Sequence, residues 1–377
     1  MAREVYKLDP NFRLGRSEYA RTVYDAHIRR ADEPTPELLK AAAAVLQLTA
    51  SDPQDYAATS PFVVTILRVS KLLSAKGRDL RALEWLDKLD HLQLQAKPLT
   101  RRDHTGQQKE SASNREQYYS IRTRALQRLE RWQECLDTTL RAIDVCGQLH
   151  HDNDLWFARR VALSRLWLGH PEEALTDLQK ISGRKPSGFI QTDIAVAAHA
   201  TGRIDLAFAH ALQALLTRDD IGFKLEAARL LAELLWGRGD VEHARAHLRL
   251  CIAVRASKGW TPSERLATLA KDWDVVSGQD DPEALLKELR RLWNAWKDGL
   301  TPRRAGMILQ MLPHGRAGFI RGDDNARFYF RARDWKDNRS SPAPGNRVTF
   351  TTRPGFDPKR NQSTIEACDI RSGLPSN

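Results

Sequence analysis

The chain lacks the long apolar runs of a membrane protein and has almost no usable cysteine chemistry. None of its apolar stretches approaches the ~20 residues a helix needs to cross a bilayer, and the opening MAREVYKLDP has no apolar signal core. Both absences point to a cytoplasmic protein with no membrane partner. Four cysteines, Cys135, Cys146, Cys251 and Cys368, are scattered without a C-x-x-C pair. That spacing argues against a zinc knuckle and a disulfide framework and leaves buried, reduced thiols as the expectation.

Enzyme signatures are missing as well. GRKPSGFI (183–190) starts like a phosphate loop but has no Lys-Ser or Lys-Thr after its second glycine, and no strand precedes it. HHDND (150–154) gathers His150, His151, Asp152 and Asp154 where a helix starts, so capping is the expected role rather than metal binding. RGDVEH (238–243) spaces Arg238 and His243 like a ribonuclease pair but spans a turn between helices. No nucleophile elbow or dinucleotide fingerprint occurs. The expectation is a protein without catalysis, metal or cofactor.

What the chain does have is charge of one sign. Lysine and arginine number 59 against 48 acidic residues, a formal +11 that favours a polyanionic partner. Residues 301–377 hold 14 of those cations against 7 acids, so most of the excess lies in the last fifth. Hydrophobic residues make up 41% of the chain, enough for packed cores and more than a disordered protein carries.

From about residue 36 to 297 apolar residues recur at helical spacing. A unit repeats within this span: AKGRDLRALEWL (75–86), LERWQECLDTTL (129–140), LGHPEEALTDLQ (168–179), ATGRIDLAFAHA (200–211) and GRGDVEHARAHL (237–248). Each has a tight turn, polar residues and then a small residue: Ala82, Cys135, Ala174, Ala207 or Ala244. The last three intervals, 39, 33 and 37 residues, lie near the ~34-residue period of two-helix solenoids. The first is 53, the excess falling in the polar segment 97–117, which reads as a long loop, and within it the composition of 101–117 suits ordering on a partner. Small residues suit a helix crossing, because two helices approach closely only where one side chain is short.

These turns resemble tetratricopeptide repeats, whose turn reads roughly L-G-x-x-x-E-A; LGHPEEAL carries the likeness best. The resemblance implies a helical solenoid whose groove takes a protein partner, and it brings no catalytic residue.

Beyond residue 300 the periodicity changes to two. MILQML (307–312), GFIR (318–321), ARFYFRA (326–332), NRVTFTT (346–352) and TIEACDI (364–370) read as five strands, a small antiparallel barrel. The wording resembles a cold-shock domain, whose K-G-F-G-F-[IV] and V-F-V-H-F motifs are matched by GRAGFI (315–320) and RFYFR (327–331). Its later G-x-x-V-x-F is matched by GNRVTF (345–350). On this resemblance Phe319 stands at the second aromatic of the first motif, with Ala317 at the first and Arg316 at a glycine. Phe328 takes the aromatic of the second motif and Phe330 its histidine, while Gln310 replaces the first strand's tryptophan. One stacking position is thus missing on each of the first two strands.

Residues two apart on a strand share a face. With Ile320 and Tyr329 filling the barrel, Phe319, Phe328 and Phe330 are expected outside beside Arg316, Arg321 and Arg331. Such rings stack unpaired bases at roughly 1–3 kcal/mol each. Trp335 either extends that surface or anchors its loop. The expected organisation is an N-terminal arm (1–35), a tetratricopeptide-like solenoid (36–297), a linker (298–305) and a cold-shock-like five-stranded β-barrel with a short tail (306–377). The corresponding function is an adaptor holding RNA or single-stranded DNA on the barrel and a protein in the solenoid groove. The alternative is a protein–protein scaffold whose barrel is a docking module.

Overall fold

In a computed structural model, every residue is described except 50–55, 103–105, 186, 276–279, 301–302, 338–340, 358–361 and 374–377. The chain divides into two units, Met1–Pro282 and Glu283–Asn377. The first holds α1 (Ala2–Leu8), α2 (Arg13–His27), α3 (Pro36–Thr49), α4 (Pro61–Ala75) and α5 (Asp79–Leu86). Two strands follow, β1 (Leu99–Arg102) and β2 (Gln108–Ser111), then α6 (Asn114–Arg128), α7 (Trp132–Val145), α8 (Asn153–Trp167) and α9 (Pro171–Arg184). The unit ends with α10 (Gly188–Ala200), α11 (Ile204–Leu215), α12 (Leu225–Gly237), α13 (Val241–Ser257) and α14 (Glu264–Asp272).

The repeat is a hairpin with one fixed turn. In α4/α5, α6/α7, α8/α9, α10/α11 and α12/α13, the small residue of the repeat is the fourth of the second helix and is fully buried in all five. Two residues before each second helix the backbone turns left-handed, at Gly77, Glu130, Gly169, Gly202 and Gly239. The next amide then reaches back to the carbonyl five residues earlier, as Arg78 does to Leu73 and Asp240 to Leu235. This is the Schellman closure, which satisfies carbonyls orphaned at a helix end and favours glycine because no Cβ clashes.

Glu130 is the exception, an L-residue at φ 55°. Glu130→Gly removes a left-handed penalty of about 1–2 kcal/mol at some cost in chain entropy. We expect a net gain of about 1 kcal/mol, read as a higher urea midpoint at unchanged slope; an unchanged or lower midpoint would contradict this account.

Two segments are more ordered than their composition suggests. The first 35 residues, expected as an arm, form α1 and α2, with Ala20 and Ile28 buried in one cluster with Leu38, Ala42 and Val45. The polar segment 97–117, expected as a loop, holds the antiparallel pair β1/β2 and opens α6 with a Ser113 cap. Residues 103–105 of that segment lie outside the described residues.

The second unit carries α15 (Pro282–Leu300) and five strands: β3 (Arg304–Met311), β4 (Ala317–Gly322), β5 (Arg327–Arg331), β6 (Arg347–Asp357) and β7 (Gln362–Ser372). They close as a barrel in the order β3-β4-β5-β7-β6. Every pairing is antiparallel except β5 with β7, so the barrel is mixed where the sequence suggested antiparallel strands throughout. The unit boundary falls at the first residue of α15, a helix the sequence grouped with the solenoid; Asp298 of α15 pairs with Arg371 of β7 at 2.7 Å. No described helix is long and apolar enough to cross a membrane. Cys135, Cys146 and Cys251 are free and buried, and burial pushes the thiols of Cys146 and Cys251 up to about 12.

Candidate nucleic-acid interface

The parity of β4 and β5 decides which aromatic rings face outward. Ile320 pairs with Phe328, and Gly318 with Phe330, across the two strands. All four are buried. The glycines make room for the rings: a Cβ on Gly318 would sit 2.6 Å from Phe330 Cε1, and one on Gly322 would sit 3.2 Å from Phe328 Cε2. Phe328 and Phe330 join Ile308, Ile320 and Phe350 in the barrel core, with exposures of 4% and 0%.

The expected outward placement of Phe328 and Phe330 is therefore corrected. A strand shows alternate residues to opposite faces, so placing Tyr329 inside would have carried Arg327 and Arg331 into the barrel with it. An unpaired arginine in so small a core costs far more than a phenylalanine on the surface. Neither buried ring offers a face to a base.

The outer face is built from Phe319 and Arg321 of β4 and from Arg327, Tyr329 and Arg331 of β5. Phe319 and Tyr329 are direct cross-strand partners, their rings 5.8 Å apart and inclined at 68°. The Arg327 guanidinium lies 4.0 Å from the Phe319 ring centroid. Gln310 of β3 pairs with Phe319 on the other side, extending the row across three strands. Arg321 stands opposite Arg327, a like-charge cross-strand pair that costs stability. Neither forms an ion pair among the described residues, whereas Arg331 approaches the buried carboxylate of Glu366 at 3.5 Å.

Of the other residues named from the sequence, Arg316 is exposed at the entry to β4. Trp335 packs against the barrel core and bridges to Ile370, so in this fold it anchors its loop. Sequence reasoning missed Tyr329 and Arg327 as surface residues. The signal was present, since both share a face with Arg331.

The remaining motifs serve structure. Ser187 caps α10, its hydroxyl accepting from the Ile190 amide at 3.4 Å. His150 and Asn153 bond the buried carboxylate of Glu116, and Asp152, at the first position before α8, makes no side-chain cap, contrary to the capping expectation. Asp154 pairs with Arg184 at 2.5 Å. Arg238 is held by Asp205 at 2.6 Å while His243 bonds Asp240, so the two do not converge on a common site. No group of three or more metal-ligating side chains occurs among the described residues.

The first unit has its own groove, a cavity of about 840 Å³ between α2, α4, β1 and α6. Arg68, Lys71 and Lys97 line it together with Tyr24, Asn114 and Gln117.

Comparison with known proteins adds the following. Residues 155–291 match a family model described as a domain of unknown function, DUF7017. No curated protein matches the chain. Among solved structures, it is similar to YrrB, described as a TPR protein with an unusual peptide-binding site, at 18% identity and a TM-score of 0.35, over 60% of this chain and 96% of that one. It is also similar to the TPR2AB domain of yeast Sti1, described in a complex with pHSP90, at 10% identity and a TM-score of 0.27, over 70% and 96% of the respective chains.

Proposed function

We propose that this chain is a non-catalytic adaptor, with a protein partner held by the helical solenoid and RNA or single-stranded DNA held on the outer face of the barrel. The observation that supports the nucleic-acid half is the Phe319/Tyr329 pair flanked by Arg321 and Arg327, two cations left facing each other without a carboxylate. An uncompensated pair of this kind is relieved by a bound polyanion. Half-buried surface rings such as Phe319 and Tyr329 and the guanidinium planes beside them both stack on unpaired bases, and the charges draw in the phosphates. The closed five-stranded topology supports the cold-shock resemblance, with the face now assigned to Phe319 and Tyr329.

The test is fluorescence anisotropy with labelled single-stranded RNA and DNA at two salt concentrations. We expect binding that weakens as salt rises and falls at least tenfold in Phe319→Ala/Tyr329→Ala. Binding indifferent to that double substitution would exclude this face.

A second reading, a scaffold whose barrel is another docking module, draws on the apolar side chains of Leu309 and Ile365, which are 36% and 55% exposed on the barrel. It predicts no oligonucleotide binding at either salt concentration.

A further inference from the structure

Arg160 lies mid-way along α8 with 5% of its surface exposed, and neither its Nε nor its Nη1 meets a hydrogen-bond acceptor. Its guanidinium rests 5.7 Å from the Phe157 ring centroid, which supports the plane but does not neutralise the charge. The ions that act on it most strongly are cations, Arg124 and Arg128, one turn apart on α6, and Arg159 on α8. Burial and these neighbours pull Arg160 down to about 9, still protonated at neutral pH.

Two of those cations are already satisfied. Arg159 grips Asp193 at 2.5 and 3.0 Å, and Arg128 approaches Asp79 at 3.6 Å while donating to the Ser74 carbonyl. The acid acting on Arg124 is Asp79 again, which also accepts from Ser74 Oγ at 2.8 Å. Two positive charges from adjacent hairpins are left without a counter-ion of their own. For Arg160 this is costly, because a buried unpaired ion loses its hydration and gains nothing in return, whereas Arg124 stands at the exposed rim.

We propose that Arg160 and Arg124 form an anion subsite between α6 and α8 that takes a phosphomonoester, carried by a phosphorylated protein side chain or by a small free molecule. A phosphomonoester brings close to two negative charges at neutral pH, matching two unbalanced guanidiniums, whereas a carboxylate brings one. The depth of Arg160 selects a terminal group. An internal phosphodiester is tied to its chain through two ester oxygens and cannot enter end-on, so this subsite is distinct in chemistry from the barrel face. Where a protein carries the phosphate, the subsite rests on reading the solenoid as a partner-recruiting module.

The experiment uses the full chain and a fluorescein-labelled Gly-Ser-Gly-phosphoserine-Gly-Ser peptide beside its unphosphorylated twin. The phosphorylated peptide is expected to bind at least tenfold tighter. Arg160→Met should abolish that preference and raise the melting temperature of the unliganded protein, because an apolar side chain of similar length relieves the buried charge. Arg124→Gln, at an exposed position, should weaken the preference at least fivefold without unfolding the hairpin.

Displacement by β-glycerophosphate at comparable concentration would assign the subsite to small molecules, and resistance to it would assign the subsite to proteins. Equal binding of the two peptides, a preference that survives in both variants, or a lower melting temperature in Arg160→Met would overturn the subsite. Tight binding of both peptides without a phosphate preference would do so while leaving protein recruitment standing. The barrel reading is judged separately, by Phe319→Ala/Tyr329→Ala against oligonucleotides.

Discussion

Phe330→Ala is expected to destabilise the barrel by about 3–5 kcal/mol, the range for truncating a buried aromatic ring in a packed core. Phe330 is fully buried, and its ring fills the space left by Gly318 on the neighbouring strand. With the ring gone, a glycine faces an alanine across the β4/β5 pair, and neither has side-chain atoms to close the gap. A second unit lies in the same chain, so the readout must be local: urea-dependent hydrogen exchange of the β4 and β5 amides, which reports the opening of the barrel alone. Phe319→Ala and Tyr329→Ala, on the outer face, should cost those amides no more than about 1 kcal/mol each, within the range of a lost cross-strand aromatic pair. If Phe330→Ala left the exchange unchanged and removed oligonucleotide binding instead, the assignment of strand faces would be reversed.

That assignment shows how much of the site the sequence carried. The five strands were legible from alternation and from turn residues, and Phe319 and Arg321 were correctly set outside on β4. The error lay in β5, where matching family motif letters put Tyr329 inside. Volume and charge alone settle the point. The Gly-x-Ile-x-Gly row of β4 needs bulky partners, which Phe328 and Phe330 supply, and Arg327 and Arg331 belong in water. The repeat was legible for a related reason. Glycine before a helix and a small fourth residue are both consequences of one turn, so the five copies stood out even with the second glycine replaced by Glu130. The β1/β2 hairpin was not legible, because LTRR and QKES offer no apolar alternation to mark them as strands. Arg160 was hidden among the many arginines of the solenoid, since burial is a property of the assembled hairpins and leaves no mark in composition.

Glu116→Ala is expected to be as damaging to the first unit as Phe330→Ala is to the second, about 3–5 kcal/mol. The motif SNRE (113–116) has the form of a capping box: Ser113 Oγ accepts from the Glu116 amide at 3.1 Å. The glutamate does not fold back to complete the box. Fully buried, it reaches toward the turn before α8, where Oε1 accepts from the His150 amide and from Asn153 Nδ2, both at 2.7 Å. Oε2 accepts from His150 Nδ1 at 2.9 Å. Truncation leaves three donors facing a cavity, and unsatisfied buried donors cost about 1–3 kcal/mol each before relaxation. It also releases a strained turn, since His151 and Asp152 both hold left-handed backbone at φ 55° and 59°, a conformation that persists only where its surroundings enforce it. Glu116→Gln keeps the shape and one acceptor oxygen but sets an amide donor against another donor, so it should lose about half as much. The measurement is urea denaturation of the full chain with hydrogen exchange over residues 145–156. We expect the amides of that segment to exchange first, with the loss ordered Ala, Gln, wild type. A Gln variant as unstable as Ala would mean that the carboxylate charge, and not the count of acceptors, holds the turn.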